Sequence, residues 1–266
     1  MKHITTKVIG IFIVSFLVCV PAISQFTKDL QKTFDISKNG RLDIDTYKGS
    51  ITVQTWDEPR ITIDATVEAD GRSRYDREMV DETEIRINAS SDRVDIRTDY
   101  GRKRRSGFSF FGIFGDESGN LPFVHYKISM PATAKLKIKD YKSDTKITNL
   151  SSFLRINTYK GSVVVEEIDG LVDIETYKGD VRIDFTTYSG NCSFETYKGR
   201  IELLLPKEAG FRLEADLGKR SELTSEFDLS KRRKSRGDDY FRTNVNGGGP
   251  DLSVKTKKGC IRLYEK

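Results

Sequence analysis

The sequence predicts an all-β chain wound as a β-solenoid with irregular insertions, and three observations carry that expectation. The tetrapeptide Thr-Tyr-Lys-Gly recurs at residues 46–49, 158–161, 176–179 and 196–199, and Tyr141, Tyr159 and Tyr177 stand 18 residues apart with Tyr197 a further 20 on. Self-similarity at that period marks stacked arrays. Apolar residues also fall at every second position on both sides of the turn. Val172, Ile174 and Thr176 share one face with Val181, Ile183 and Phe185, while Asp173, Glu175, Arg182 and Asp184 take the water-facing slots. Period two means strand. Finally, two short strands cannot bury an apolar face alone, so equivalent strands are expected to stack about 4.8 Å apart. A meander of antiparallel hairpins closed by Tyr-Lys-Gly is the competing topology; the constant period and phase favour the coil.

The elements follow in order. Lys2 and Lys7 precede an apolar run from Val8 to Val20, and Ala22 and Ser24 are small residues before a cut after Ser24. This is a signal-peptide pattern, and the run is shorter than the roughly 20 residues of a membrane-spanning helix. Cys19 follows Val18 rather than a small residue, which argues against lipidation. Residues 1–24 are therefore expected to leave, and 25–266 to form one elongated β-strand-repeat domain with insertions at about 70–120 and 228–249. Removing Lys2 and Lys7 leaves 43 basic against 40 acidic residues. That balance gives no reason to expect nucleic acid.

The first unit runs through Leu42, Ile44, Thr46, the turn, and Ile51 and Val53; Ile61, Ile63, Ala65 and Val67 make a longer strand. Arg74 to Thr83 reads as a short helix or an irregular crossing, and Ile85/Ile87 with Val94/Ile96 as a hairpin. After Gly101, the stretch from Arg102 to Phe114 holds Arg-Lys-Arg-Arg followed by a phenylalanine-rich run. This stretch suits an anionic surface or a bilayer interface, or else a mobile insertion tucked back on the solenoid, which is favoured because it lacks helical periodicity. A strand from Phe123 to Met130 leads into a degenerate copy, Asp140-Tyr141-Lys142-Ser143, and then the regular copies. Asp216-Leu217-Gly218 stands at the phase of the turn, and Thr256-Lys-Lys-Gly259 closes the series. The turn glycines Gly49, Gly161, Gly179, Gly199 and Gly259 are expected to supply φ > 0.

Little here points to catalysis. His125 is the only histidine after residue 24, and no motif places a serine or cysteine nucleophile beside it. Asp173, Glu175 and Glu195 are the acids a β-helix lyase or hydrolase would use, yet their recurrence at equivalent outward positions is what solvated strand faces look like. No metal or cofactor is expected: two cysteines and one histidine lack zinc spacing, and no phosphate-binding glycine loop is present. Cys192 takes an inward slot and Cys260 an outward one, so no disulfide between them is expected.

The strand-Gly-strand opening with Trp56-Asp57, the Met130-Pro131 step, the Leu205-Pro206 step to Phe211, and Gly247-Gly-Gly-Pro250 before the closing unit together resemble the bacterial putative adhesin family over roughly residues 34–266. The resemblance implies a right-handed, parallel β-helix-like solenoid in the cell envelope, in a family without a settled function. It departs from that pattern in its Tyr-Lys-Gly turns and its insertion after Arg102. The expectation is a non-catalytic exported protein, periplasmic or at the cell surface, acting as an adhesion or envelope-scaffold module. The alternatives are a carbohydrate-active enzyme and an accessory to envelope-stress signalling. The candidate binding surface is a ladder of Tyr47, Tyr141, Tyr159, Tyr177 and Tyr197 beside Lys160, Lys178 and Lys198. Its expected partners are envelope glycan, anionic polymer or an envelope protein; the bland alternative is that the tyrosines only cover the corners.

Overall fold

The computed structural model describes residues 26–101, 121–229, 233–234 and 239–266; the expected signal segment with Cys19 and the stretch from Arg102 to Phe114 lie outside them. The first part of the chain gives β1 (Thr27–Asp35), β2 (Arg41–Asp45), β3 (Lys48–Trp56), β4 (Arg60–Glu68), α1 (Arg74–Glu82), β5 (Glu84–Ala89), β6 (Arg93–Asp99) and β7 (Phe123–Pro131). The repeats give β8 (Lys135–Thr148), β9 (Leu154–Lys160), β10 (Val163–Ile168), β11 (Val172–Lys178), β12 (Val181–Phe185), β13 (Cys192–Lys198) and β14 (Arg200–Leu205). The last part gives β15 (Phe211–Leu217), β16 (Glu222–Ser225), β17 (Arg233–Lys234), β18 (Tyr240–Val245), β19 (Asp251–Thr256) and β20 (Cys260–Glu265).

These strands make a curled, mixed sheet in which parallel pairs dominate. One row runs β6, β2, β8, β9, β11, β13, β19, β15, every neighbouring pair parallel. A second runs β7, β3, β8, β10, β12, β14, β20, β16, again all parallel. β8 is long enough to pass through the corner and belong to both. Ile156 therefore pairs with Ile174, and Ile174 with Phe194, each residue against its equivalent one repeat on. The antiparallel pairs lie at the ends, β1–β4–β7 and β5–β6 at one and β15–β18–β17 at the other.

The inward slots build the core. Ile156, Ile174, Val181, Ile183, Phe194, Ile201 and Leu203 are all 2% exposed or less, each contributing roughly 1.5–3 kcal/mol by leaving water. Thr158, Thr176 and Thr196 are buried at the corner. Spatial order departs from chain order: the closing strands β19 and β20 sit between β13/β14 and β15/β16, and β2/β3 lie against β8. At β15, Leu217 pairs with Thr256 and Gly218 lies beside Lys257, so the turn begins two residues later than the sequence phase suggests. An added turn, with Gly218 and Ser221 joined by a backbone hydrogen bond, absorbs the difference. α1 is closed by a capping box between Ser73 and Asp76 and buries Met79 and Val80.

The corner glycines answer to a different demand from the one expected. Only Gly49, Gly161 and Gly199 have φ in the positive region. A Cβ on Gly179 would lie 1.9 Å from the Gly161 carbonyl oxygen, and one on Gly259 1.9 Å from that of Gly199. Glycine packs on glycine from one level to the next, and close backbone approach fixes the residue where φ does not. Cys192 and Cys260 are free, the first buried and the second half-exposed; burial pushes the Cys192 thiol up to about 11.

Candidate functional site

The parallel register stacks the turns, and the stacked turns bring all five tyrosines into one column. Ring centroids are 4.6 Å apart for Tyr47–Tyr141 and 4.8 Å for Tyr141–Tyr159, Tyr159–Tyr177 and Tyr177–Tyr197, with planes within 7° of parallel. The spacing is that of the strands, so the backbone sets it. Tyr47 joins although its unit lies far away in sequence, because β2 packs on β8. Tyr100 meets the Tyr47 end edge-on at 6.2 Å, and Lys258 lies over Tyr197 at 5.2 Å from the ring centroid. Each inner ring thus spends both faces on its neighbours. A sugar ring cannot lie flat on them, and the ladder presents ring edges and hydroxyls. Burial, then Tyr47 and Tyr159, holds the Tyr141 hydroxyl above its ordinary pKa, while the hydrogen bond and charge of Lys258 draw that of Tyr197 below it.

A lysine column runs alongside. Lys48, Lys142, Lys160, Lys178 and Lys198 are in register, and Lys258 continues the line through its backbone hydrogen bond to Tyr197. Lys160 lies over the rings of Tyr141 and Tyr159, and Lys178 over that of Tyr177. Lys48 is drawn away: its Nζ is 2.7 Å from the Asp70 carboxylate and 4.1 Å from the Phe123 ring centroid. Lys142, Lys178, Lys198 and Lys258 are exposed. Two acids of the same turns brace the backbone between levels. Asp144 accepts from the Ser162 N–H and hydroxyl, and Asp180 from the Arg200 N–H.

The acids considered for a lyase are paired across levels. Asp173 is 2.8 Å from Arg155, Glu195 is 2.9 Å from Lys255, and Glu175 accepts from the Asn157 amide at 3.1 Å. Among the described residues no group of three or more His, Cys, Asp and Glu side chains is placed to hold a metal ion. His125 is placed less blandly than its sequence context suggests. Its Nδ1 lies 2.8 Å from the Ser50 hydroxyl and its Nε2 3.6 Å from the Glu68 carboxylate. The β3–β7 pairing sets Ser50 directly beside His125, and β4 brings Glu68 to the other side. No sequence motif joins these three residues; only the register of three strands could reveal them.

No curated protein matches the chain. Among solved structures it is similar to a putative cell adhesion protein from Clostridium sporogenes, at 12% identity and a TM-score of 0.42 over 90% of this chain and all of that one. A putative adhesin from Bacteroides fragilis matches at 10% identity and a TM-score of 0.40, over 89% of this chain and 97% of that one. One from Parabacteroides distasonis matches at 13% and 0.31, over 88% and 97%. Among the described residues no helix is long and apolar enough to cross a membrane. The model of the Toastrack family, DUF4097, matches residues 113–263, more than half of the chain, and the protein belongs to that family.

Proposed function

We propose that this protein is an exported, right-handed β-solenoid that works as an adhesion or envelope-scaffold module, and that its Tyr-Lys-Gly corner holds an extended anionic polymer along its length. The observation that supports this reading is the double column, five tyrosines stacked at 4.6–4.8 Å beside a row of exposed lysines. Ammonium groups at strand spacing repel one another by about 1 kcal/mol per neighbouring pair in water. A polyanion lying along the row relieves that repulsion. It also meets tyrosine hydroxyls, which donate to phosphate, sulfate or carboxylate oxygens. Each contact is weak, and several in a row add through effective concentration.

The test is retention of the chain from residue 25 on immobilised anionic cell-wall polymer and on a neutral glycan. Replacing Lys142, Lys160, Lys178 and Lys198 together by glutamine is expected to reduce retention on the anionic polymer at least tenfold with an unchanged melting curve. Raising the salt is expected to weaken the wild type in the same way. Equal retention of wild type and variant, or equal retention on the neutral glycan, overturns the reading.

A further inference from the structure

The Ser50–His125–Glu68 constellation lies on the second row of strands, just past the Tyr47–Lys48 end of the corner column, and the proposed binding role makes no use of it. Three side chains from adjacent strands face the same side of the sheet. Ser50 on β3 is 2.8 Å from His125 Nδ1 on β7, and the far nitrogen of the same ring is 3.6 Å from Glu68 at the end of β4. A nucleophile within hydrogen-bond reach of a base, and a carboxylate on the other side of that base, is the arrangement that activates a serine; such contacts are often looser in a ligand-free site. In the tautomer that carries its proton on Nε2, the side nearer Glu68, Nδ1 is the acceptor for the Ser50 proton. All three groups are half-buried, open to a small substrate yet partly shielded from water.

An ion pair borders the set. Lys48 stands two residues from Ser50 on the same strand, so its side chain emerges on the same side. It is 9% exposed, held between Asp70 and the Phe123 ring, and Phe123 in turn stacks beside His125 at 6.1 Å.

We propose that Ser50, His125 and Glu68 form a serine-hydrolase site for small carboxylate esters, with Ser50 as nucleophile, His125 as general base and acid, and Glu68 as positioning residue. Ser50 Oγ bonds to the ester carbonyl carbon as its proton passes to His125 Nδ1. The bond from that carbon to the alcohol oxygen then breaks, and the departing oxygen takes the proton from Nδ1, leaving acyl-Ser50. Water repeats the cycle. It gives a proton to Nδ1 as its oxygen attacks the acyl carbon, the carbon–Oγ bond breaks, Oγ recovers the proton and the carboxylic acid leaves. Because β3 carries both Ser50 and Lys48 of the lysine column, O-acyl groups on a polymer bound along the corner would be substrates within reach, although the activity does not depend on that binding.

The experiment treats the chain from residue 25 with a fluorophosphonate probe, locates any adduct by peptide mass spectrometry, and follows p-nitrophenyl acetate hydrolysis. The expected result is a phosphonyl adduct on Ser50, absent in Ser50→Ala, at least tenfold slower in His125→Gln and slowed in Glu68→Gln with partial rescue in Glu68→Asp. Melting curves of these surface variants are expected to match wild type. The quadruple lysine-to-glutamine variant is expected to label at the wild-type rate, which separates this site from the binding corner. No adduct on Ser50 under conditions that label a control serine hydrolase, or ester hydrolysis equal in wild type, Ser50→Ala and His125→Gln, overturns the proposal.

Discussion

Asp140 occupies the corner slot that threonine fills at most other levels, and it is 4% exposed. Its Oδ1 accepts from the Ser143 N–H and the Thr158 hydroxyl, both at 2.9 Å, while its Oδ2 is buried with no hydrogen-bond partner. Burial, only partly offset by those bonds, pushes this carboxyl up to about 7. The folded state therefore binds the proton more tightly than the unfolded chain, whose aspartate titrates near 4. The group's contribution is most favourable below pH 4, falls as pH rises from about 4 to about 7, and is flat above, on the order of 4 kcal/mol in all. Asp140→Asn is expected to raise stability at pH 8 and flatten that slope, as urea midpoints between pH 4 and pH 8 will show; a variant that keeps the wild-type slope removes Asp140 as its source. The glycines give a second residue-level expectation. Gly179→Ala forces a methyl group against the Gly161 carbonyl and is expected to cost about 2–4 kcal/mol. Gly247→Ala, with φ of +85° in open space, is expected to cost about 1 kcal/mol. Sequence alone located these glycines but gave only the φ argument, because close approach between levels depends on which turn lies beneath.

Individual strands were legible wherever alternation was unbroken: β9 to β14 bury the residues whose spacing announced them, whereas the stretch from Arg74 to Thr83 reads as a short helix or an irregular crossing, and the Ser73–Asp76 capping box settles it as α1. The two half-turns of β8 were legible as strand, but its passage through the corner was not, since Asp140 and Ser143 replace threonine and glycine and hide the turn. Cys192 was legible too, because inward and outward slots alternate without ambiguity in β13. A thiol reagent is expected to modify Cys260 in the native chain from residue 25 and to reach Cys192 only after denaturation, giving two thiols per chain; fewer than two after denaturation contradicts this. For the tyrosine column, the repeat showed which residues would align but not that their faces would close on one another. Replacing Tyr159, Tyr177 and Tyr197 together by serine is expected to lose about 0.5–1.5 kcal/mol per ring contact while the far-ultraviolet circular dichroism of the sheet is retained. A variant that no longer shows the sheet signal would mean that the ladder holds the corner together.

At the scale of the whole molecule, the period predicted that copies stack but not the order of stacking. The unit at β2/β3 lies on β8, and the last unit in sequence enters between β13/β14 and β15/β16, because an apolar face is satisfied by any matching neighbour regardless of chain distance. That order extends the tyrosine column to Tyr47 and the lysine column to Lys258, and it brings Ser50, His125 and Glu68 together from three strands. Five levels from Lys142 to Lys258 span about 19 Å at strand spacing. The central claim is that a polyanion lies along those levels. Its most direct test is calorimetric titration of the chain from residue 25 with phosphate or sulfated oligomers of increasing length at fixed salt. Affinity is predicted to climb with each added repeat until the oligomer covers about 19 Å and then to level off, with the climb lost when the column lysines are replaced by glutamine. An affinity independent of length, or a climb unchanged by those substitutions, would contradict it.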